Sequence, residues 1–270
     1  MGTDFHPTAR VIADSINPTG NRLTTLEVHL HRYMLPALNT HRAFSRNSAS
    51  SRAIPAARTL RRIAEHPVVP TRWASEQPGM QAGDTVTDPE KARNAWLAAR
   101  DAAAVHAEQL IQLGVHKSIV NRLLEPFAST QVIVTATDWD GFWHQRCSTL
   151  AQDDMRLTAE AMFDAYHAST PTPVNHDGWH TPYINADEHD TLTPVMRRRV
   201  SAARCARVSH LTHAGTRDPN ADLGLYMRLI CADPPHASPL EHVATPTHPD
   251  EPARGNFTGW HQLRHLVLGH

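Results

Sequence analysis

The first clear pattern in the chain lies at Leu23, Leu26, Val28 and Leu30. The last three alternate with Glu27, His29 and His31, the two-residue period of a half-buried strand. Residues 1–22 ahead of it are polar and hold Pro18-Thr-Gly-Asn21, a turn signal. Residues 33–65 read as helix, interrupted by the Ser-rich segment 45–51. Residues 66–87, with several prolines, Trp73 and Gly79-Met80, read as an ordered loop. Asp88 and Pro89 then form an N-cap and first-turn pair. Trp96, Ala99, Ala103, Ala107 and Leu110 follow at helical spacing, and Gly114 stops that helix.

The remaining elements follow from the same rules. A short helix runs from His116 to Leu124 and ends at Pro126, and the β-branched run Gln131–Thr137 reads as a buried strand. Thr137 or Asp138 caps a helix reaching Arg146. Met155, Ala159, Met162, Phe163 and Tyr166 mark another amphipathic helix. Residues 169–194, rich in Pro, Asp and His, read as a long loop or a boundary. A basic helix over Met196–Ser209, a short one near Leu223–Ala232, a loop His236–His242 and a last helix from Asn256 complete the chain. No repeat of solenoid period is present.

The length, 270 residues, suits one large domain with a real core. Basic and acidic residues balance at 26 against 27, so no global field favours nucleic acid. Lys91 and Lys117 are the only lysines. The other basic residues are arginines, suited to bidentate contacts with phosphate or carboxylate, although a GC-rich genome gives the same bias. Cys147, Cys205 and Cys231 form no CxxC pair and no disulfide framework. Without a signal-like or membrane-length apolar run, the expected setting is soluble, reducing and cytoplasmic, with no membrane partner.

Thr40-His-Arg-Ala-Phe-Ser-Arg-Asn-Ser-Ala-Ser-Ser-Arg52 concentrates three guanidinium groups, an imidazole and several hydroxyls. Arg42 or Arg52 could fork onto a phosphate. A solvated turn has the same composition. His236, Glu241 and His242 include metal-ligating types, but no third and fourth ligand is suitably spaced, so no metal is expected. Cys205 stands between Arg204 and Arg207, a setting able to lower a thiol pKa, yet a buried helical cysteine is the simpler reading. Arg122, Arg146 and Gln262 are uninformative singly.

Together these residues resemble a family. His41-Arg-x-x-Ser-x-Asn-x-x-Ser-x-Arg52 resembles the RHRxxSxNExSxR signature of the flavin-dependent thymidylate synthases. Arg207-Val-Ser209 resembles that family's ARVS segment, and His236-Ala-Ser-Pro-Leu-Glu-His242 its HxTPFEH segment. Residues 113–152 resemble its later half. The order is unusual: the second and third segments normally precede the signature, and here they follow it. The chain thus looks like a circular permutant, residues 1–168 matching the family's later half and 195–270 its earlier half. In that reading Phe257–Arg264 resembles the helix leading into the signature, and both chain ends should meet beside Thr40–Arg52.

The resemblance implies one α+β domain, an antiparallel sheet flanked by helices, assembled as a homotetramer. It implies methylation at C5 of a uracil nucleotide with FAD, NADPH and methylenetetrahydrofolate. By matched position, His41, Arg42, Asn47, Ser209, Ser238 and Glu241 would contact FAD. Ser50, Ser51, Arg52, Arg122, Arg146 and Gln262 would hold the nucleotide. Ser50, Arg146 and His236 would stand at the reacting centre, Arg146 stabilising charge on the uracil oxygen. The chain departs from the signature at Thr40, Ser48 and Ala53, and at Thr137-Asp138-Trp139 after the strand. Smaller groups there could admit a ribose 2′-hydroxyl, which points to UMP with dUMP tolerated, as in a nucleoside-antibiotic branch. A dCMP or dUMP hydroxymethylase for phage DNA modification, and a non-catalytic nucleotide-binding protein, stay open.

Overall fold

The computed structural model describes residues 5–212, 214–248, 251–252 and 254–269. Five strands form the main sheet: β1 (Thr8–Ile16), β2 (Arg22–His31), β3 (Ser45–Ser48), β4 (Ser129–Ala136) and β5 (Thr172–Pro173). Their order is β3-β4-β2-β1-β5. β1 to β4 pair antiparallel, whereas β5 runs parallel to β1. The sheet is therefore mixed, a correction to the antiparallel sheet expected from the sequence. β5 is only two residues long, too short for a periodic signal.

Period two gives β2 and β4 two different faces. Leu26, Val28 and Leu30 join Val132, Val134 and Ala136 on one face. Helices α5 (Asp140–Arg146) and α6 (Asp153–His167) cover it with Trp139, Phe142, Trp143, Met155, Ala159 and Met162. The opposite face carries Thr25, Glu27 and His29 of β2 against Thr135, Ile133 and Gln131 of β4. Helix α8 (Pro194–Arg207) packs there through Cys205 and the following Val208.

The other helices are α1 (Leu35–Leu38), α2 (Ala56–Glu65), α3 (Pro89–Gln112), α4 (Lys117–Leu124), α7 (Ala186–Thr191), α9 (Pro219–Ile230) and α10 (Leu263–Leu268). A second, two-stranded sheet pairs β6 (Ala244–Pro246) with β7 (Trp260–Gln262). Asp88 caps α3 by accepting from Lys91 N, with Pro89 in the first turn, and Gly114 beyond its end has φ +73°. No described helix is long and apolar enough to cross a membrane.

Several sequence expectations are corrected. The polar stretch 1–22 contains β1, whose described side chains are mostly half-exposed and whose register slips between Val11 and Ala13. That bulge breaks the alternation that would reveal a strand. The 45–51 interruption is itself an edge strand, β3, formed because β4 supplies a partner. Helix lies on either side of it within 33–65, as the interruption implied, but α1 on the first side is only Leu35–Leu38. Residues 169–194 include α7, started by a capping box between Asn185 and Glu188. The stretch from Asn256 starts as a turn, enters β7 at Trp260, and only its end is helical. Trp139, rather than Thr137 or Asp138, stands at the α5 N-cap, with no side-chain cap bond.

Candidate functional site

β3 organises the site through its alternation. Ser45 and Asn47 lie beside Thr135 and Ile133, on the polar face. Asn47 Nδ2 donates to the Cys205 carbonyl at 3.4 Å, tying the strand to the last turn of α8. Gln262 Nε2 donates to Ser45 Oγ at 3.0 Å, to the Glu241 carbonyl at 3.1 Å and to Asn256 Oδ1 at 3.0 Å. Asn256 Nδ2 donates to the Ala43 carbonyl at 2.8 Å. Segments more than 150 residues apart in sequence are thus joined at one four-residue strand.

Arg46 falls on the other face and works internally. Its guanidinium donates to the carbonyls of Leu38, Asn39 and His41, the last at 2.7 Å, and so fixes the turn after α1. His41 faces Phe142 edge-on at 4.8 Å. Arg146 Nε donates to His41 Nε2 at 2.9 Å, and Arg146 also donates to Thr40 Oγ1 at 3.1 Å. Burial, then the nearby Arg146 and Arg46, lowers the His41 pKa to about 4. A neutral ring is what accepting from a guanidinium requires. An open cleft of about 450 Å³ runs beside Thr40–Phe44, with Gly141 and Phe142 opposite. Arg42 lines it, exposed and with no acidic partner among the described residues.

After β3 the chain turns at Ser50, whose Oγ accepts from Arg52 N at 3.2 Å. Arg52 is exposed, and no described carboxylate pairs with it. Ser51 is buried, and its carbonyl accepts from Asn121 Nδ2 at 2.7 Å. Arg122, next to Asn121 on α4, pairs instead with Glu125 at 3.1 Å.

Val208 ends α8 at φ 52°, rare for a β-branched residue, and turns the chain to Ser209. Ser209 Oγ accepts from Leu211 N at 3.1 Å. Glu241 pairs with Arg264. His236 and Ser238 are exposed, on the segment joining α9 to the 3-10 turn Ser238–His242. No bond links them to β3 among the described residues. Cys205 is fully buried, and burial pushes its thiol pKa up. Arg204 and Arg207 do not activate it, because Glu188 and Asp222 engage Arg204 and Asp222 engages Arg207.

The described chain ends reach Thr40–Arg52 at different places. Gln262 bonds Ser45, while Phe5 shares a cavity wall with Ser51. They approach the two ends of the segment rather than meeting at one point.

Sequence reasoning missed a buried polar chain beneath the site. Ser15 Oγ lies 2.8 Å from His180 Nδ1, and His180 Nε2 lies 2.7 Å from Thr25 Oγ1. Thr25 meets Thr135 at 2.7 Å, and Thr135 meets His242 Nδ1 at 2.8 Å. Burial lowers both imidazole pKa values to about 3. Two threonines on the polar phase of β2 and β4 were the available signal. Ser45, Asn256 and Arg264 carried none.

No protein-family model matches the sequence, and no curated protein matches it. Among solved structures, the fold is similar to that of PolB, a UMP/dUMP methylase from Streptomyces cacaoi. Bound with 5-Br dUMP, that protein superposes with a TM-score of 0.50 at 14% identity, over 62% of this chain and 93% of that one. Bound with 5-Br UMP, the TM-score is 0.50 at 15% identity, over 62% and 92%. At that identity the likeness is one of fold: a mixed α+β domain whose five-stranded mixed sheet is flanked by helices.

Proposed function

We propose that the protein methylates C5 of a uracil nucleotide, UMP with dUMP tolerated, using FAD, NADPH and methylenetetrahydrofolate. One observation carries this reading. Gln262, in one segment that resembles the flavin-dependent thymidylate synthases, bonds Ser45 of β3 and the Glu241 carbonyl of another, and Asn47 of β3 bonds the Cys205 carbonyl, two residues ahead of the Arg207-Val-Ser209 segment. The fold likeness to a UMP/dUMP methylase supports the same substrate class.

The residues present fit a flavin. Arg42 is a guanidinium without an acidic partner among the described residues, on an open cleft; Gly141 intrudes no side chain, and His41 is neutral beside it. Arg42 and His41 would hold the cofactor, with Asn47, Ser209, Ser238 and Glu241 in supporting contacts. Reduced flavin supplies the hydride that completes the methyl group. Arg52, with no acidic partner among the described residues, would take the nucleotide phosphate, with Ser50, Ser51, Arg122 and Gln262 around it. Arg146 keeps donor capacity beyond His41 and Thr40 and would stabilise negative charge on the uracil oxygen as C5 becomes nucleophilic. His236 would handle the folate side. A homotetramer of this permuted chain, with sites shared between subunits, belongs to the same reading.

The visible absorbance of the purified protein, its bleaching by NADPH under anaerobic conditions, and the product mass test the proposal. A flavin spectrum and a UMP product one methylene heavier are expected. A colourless protein that takes up no FAD would overturn it, and turnover of dUMP with UMP untouched would overturn the ribose preference.

A further inference from the structure

A separate cavity of about 250 Å³ lies at the other end of the polar face, between α2, α4 and the His29 and Ser129 end of the sheet. Two guanidinium groups, Arg32 and Arg62, line it against one carboxylate, Glu125. Arg32 already engages Glu125 at 3.0 Å, and Arg122 shares it. Arg62 has no acidic partner among the described residues; it donates to Ser129 Oγ at 3.3 Å. Burial, then Arg58, lowers its pKa, the direction expected of a guanidinium without an anion. His29, held neutral chiefly by burial and then by Arg62, adds no compensating charge.

Asn121 on the same wall is 2% exposed. Its Nδ2 donates to the Ser51 and Ile54 carbonyls at 2.7 and 2.9 Å, which fixes the amide's orientation. Its Oδ1 is buried and has no partner among the described residues. A buried acceptor left unmade is costly, so such a group calls for an N–H or O–H from outside the chain. Phe5, Ile54, Ile63 and Pro67 supply apolar surface between these polar points.

We propose that this cavity binds a small anionic nitrogen heterocycle, its charge on Arg62 and a ring or exocyclic N–H on Asn121 Oδ1. Nucleoside monophosphates and reduced folates share that chemistry. The site is distinct from the cleft beside His41 and Arg42, and it meets the turn carrying Ser50 and Arg52 at Ser51 and Ile54. It does not rest on the methylase reading.

Calorimetric titration of the purified full chain with UMP, uridine, inorganic phosphate and 5-formyltetrahydrofolate tests it. A binding event is expected for UMP or the folate, and stronger for either than for uridine or phosphate alone. Arg62→Gln should weaken that event roughly tenfold or more, as loss of a charge-assisted contact does. Thr59→Trp, which fills the cavity from α2, should abolish it with the melting temperature retained. Arg52→Gln should leave it intact while removing binding at the proposed nucleotide turn, which separates this site from the methylase reading. No binding event sensitive to both Arg62→Gln and Thr59→Trp would overturn the proposal.

Discussion

Two arginine-rich stretches meet opposite fates. In α8, Arg204 is fully buried, with Glu188 at 2.7 Å and Asp222 at 2.8 Å, and Arg207 shares Asp222. Arg198 and Arg199 lie over the rings of Trp179 and Tyr226. In Thr40–Arg52, only Arg46 is absorbed, by backbone carbonyls, while Arg42 and Arg52 stay exposed and without acids among the described residues. Both stretches look basic in one dimension. The difference is whether an acid from another element can reach the guanidinium. A consumed guanidinium stabilises the fold, and an unconsumed one is available to a ligand.

The sharpest way to break this contrast is Arg204→Met. It strips buried Glu188 of its close partner and leaves Asp222 with Arg207 alone, and should cost about 3–5 kcal/mol, read from urea unfolding. A loss no larger than that of an exposed arginine would mean the α8 network is not structural. Next are Arg42→Gln and Arg52→Gln. Each should lower affinity for flavin or nucleotide by roughly ten- to a hundredfold with thermal stability unchanged, since each removes a charged hydrogen bond worth about 1.5–3 kcal/mol. Stability lost in place of affinity would reverse the assignment.

A third test concerns pH. His180 and His242 titrate near 3 in the fold and near ~6.5 when unfolded. Between those values the unfolded chain binds more protons. Their contribution is therefore complete above about pH 6.5 and is lost as pH falls toward 3. Melting temperature should decline over that window, and His180→Gln with His242→Gln should flatten the slope; an unchanged slope would remove the buried chain from the account. The smallest effect belongs to Cys205→Ser. Its thiol lies near Ser201, which offers a new hydroxyl a partner, so stability should change by about 1 kcal/mol or less. Methylation should persist with flavin bound; its loss would indicate a protein nucleophile.

Some of this was legible because the signal was local. The alternation in β2, the β-branched run in β4 and the Asp88-Pro89 start of α3 each fall within one element. β1 was hidden by charged residues that pair across strands, Arg10 with Glu27 and Arg22 with Asp14, and by its bulge. β3, Ser-Arg-Asn-Ser, has no strand-forming residue of its own and exists because β4 offers an open edge. The candidate site divides in the same way. Arg42 and Arg52 could be named from their segment, whereas Arg46 looked identical to them and proved internal. Arg122 looked available and is paired three residues away. Asn121, beside it, had no signal at all.

The sequence by itself determined which stretches could be helix or strand and which residue types were on hand for an anion, because those depend on spacing, capping and side-chain chemistry within a few residues. Only the tertiary structure decided which face Ser45 and Asn47 occupy, which arginines are consumed, and where an amide oxygen is buried without a partner. Those outcomes depend on charges and hydrogen-bonding groups brought together from distant parts of the chain, and a guanidinium's fate is set by what is packed against it rather than by its neighbours in sequence.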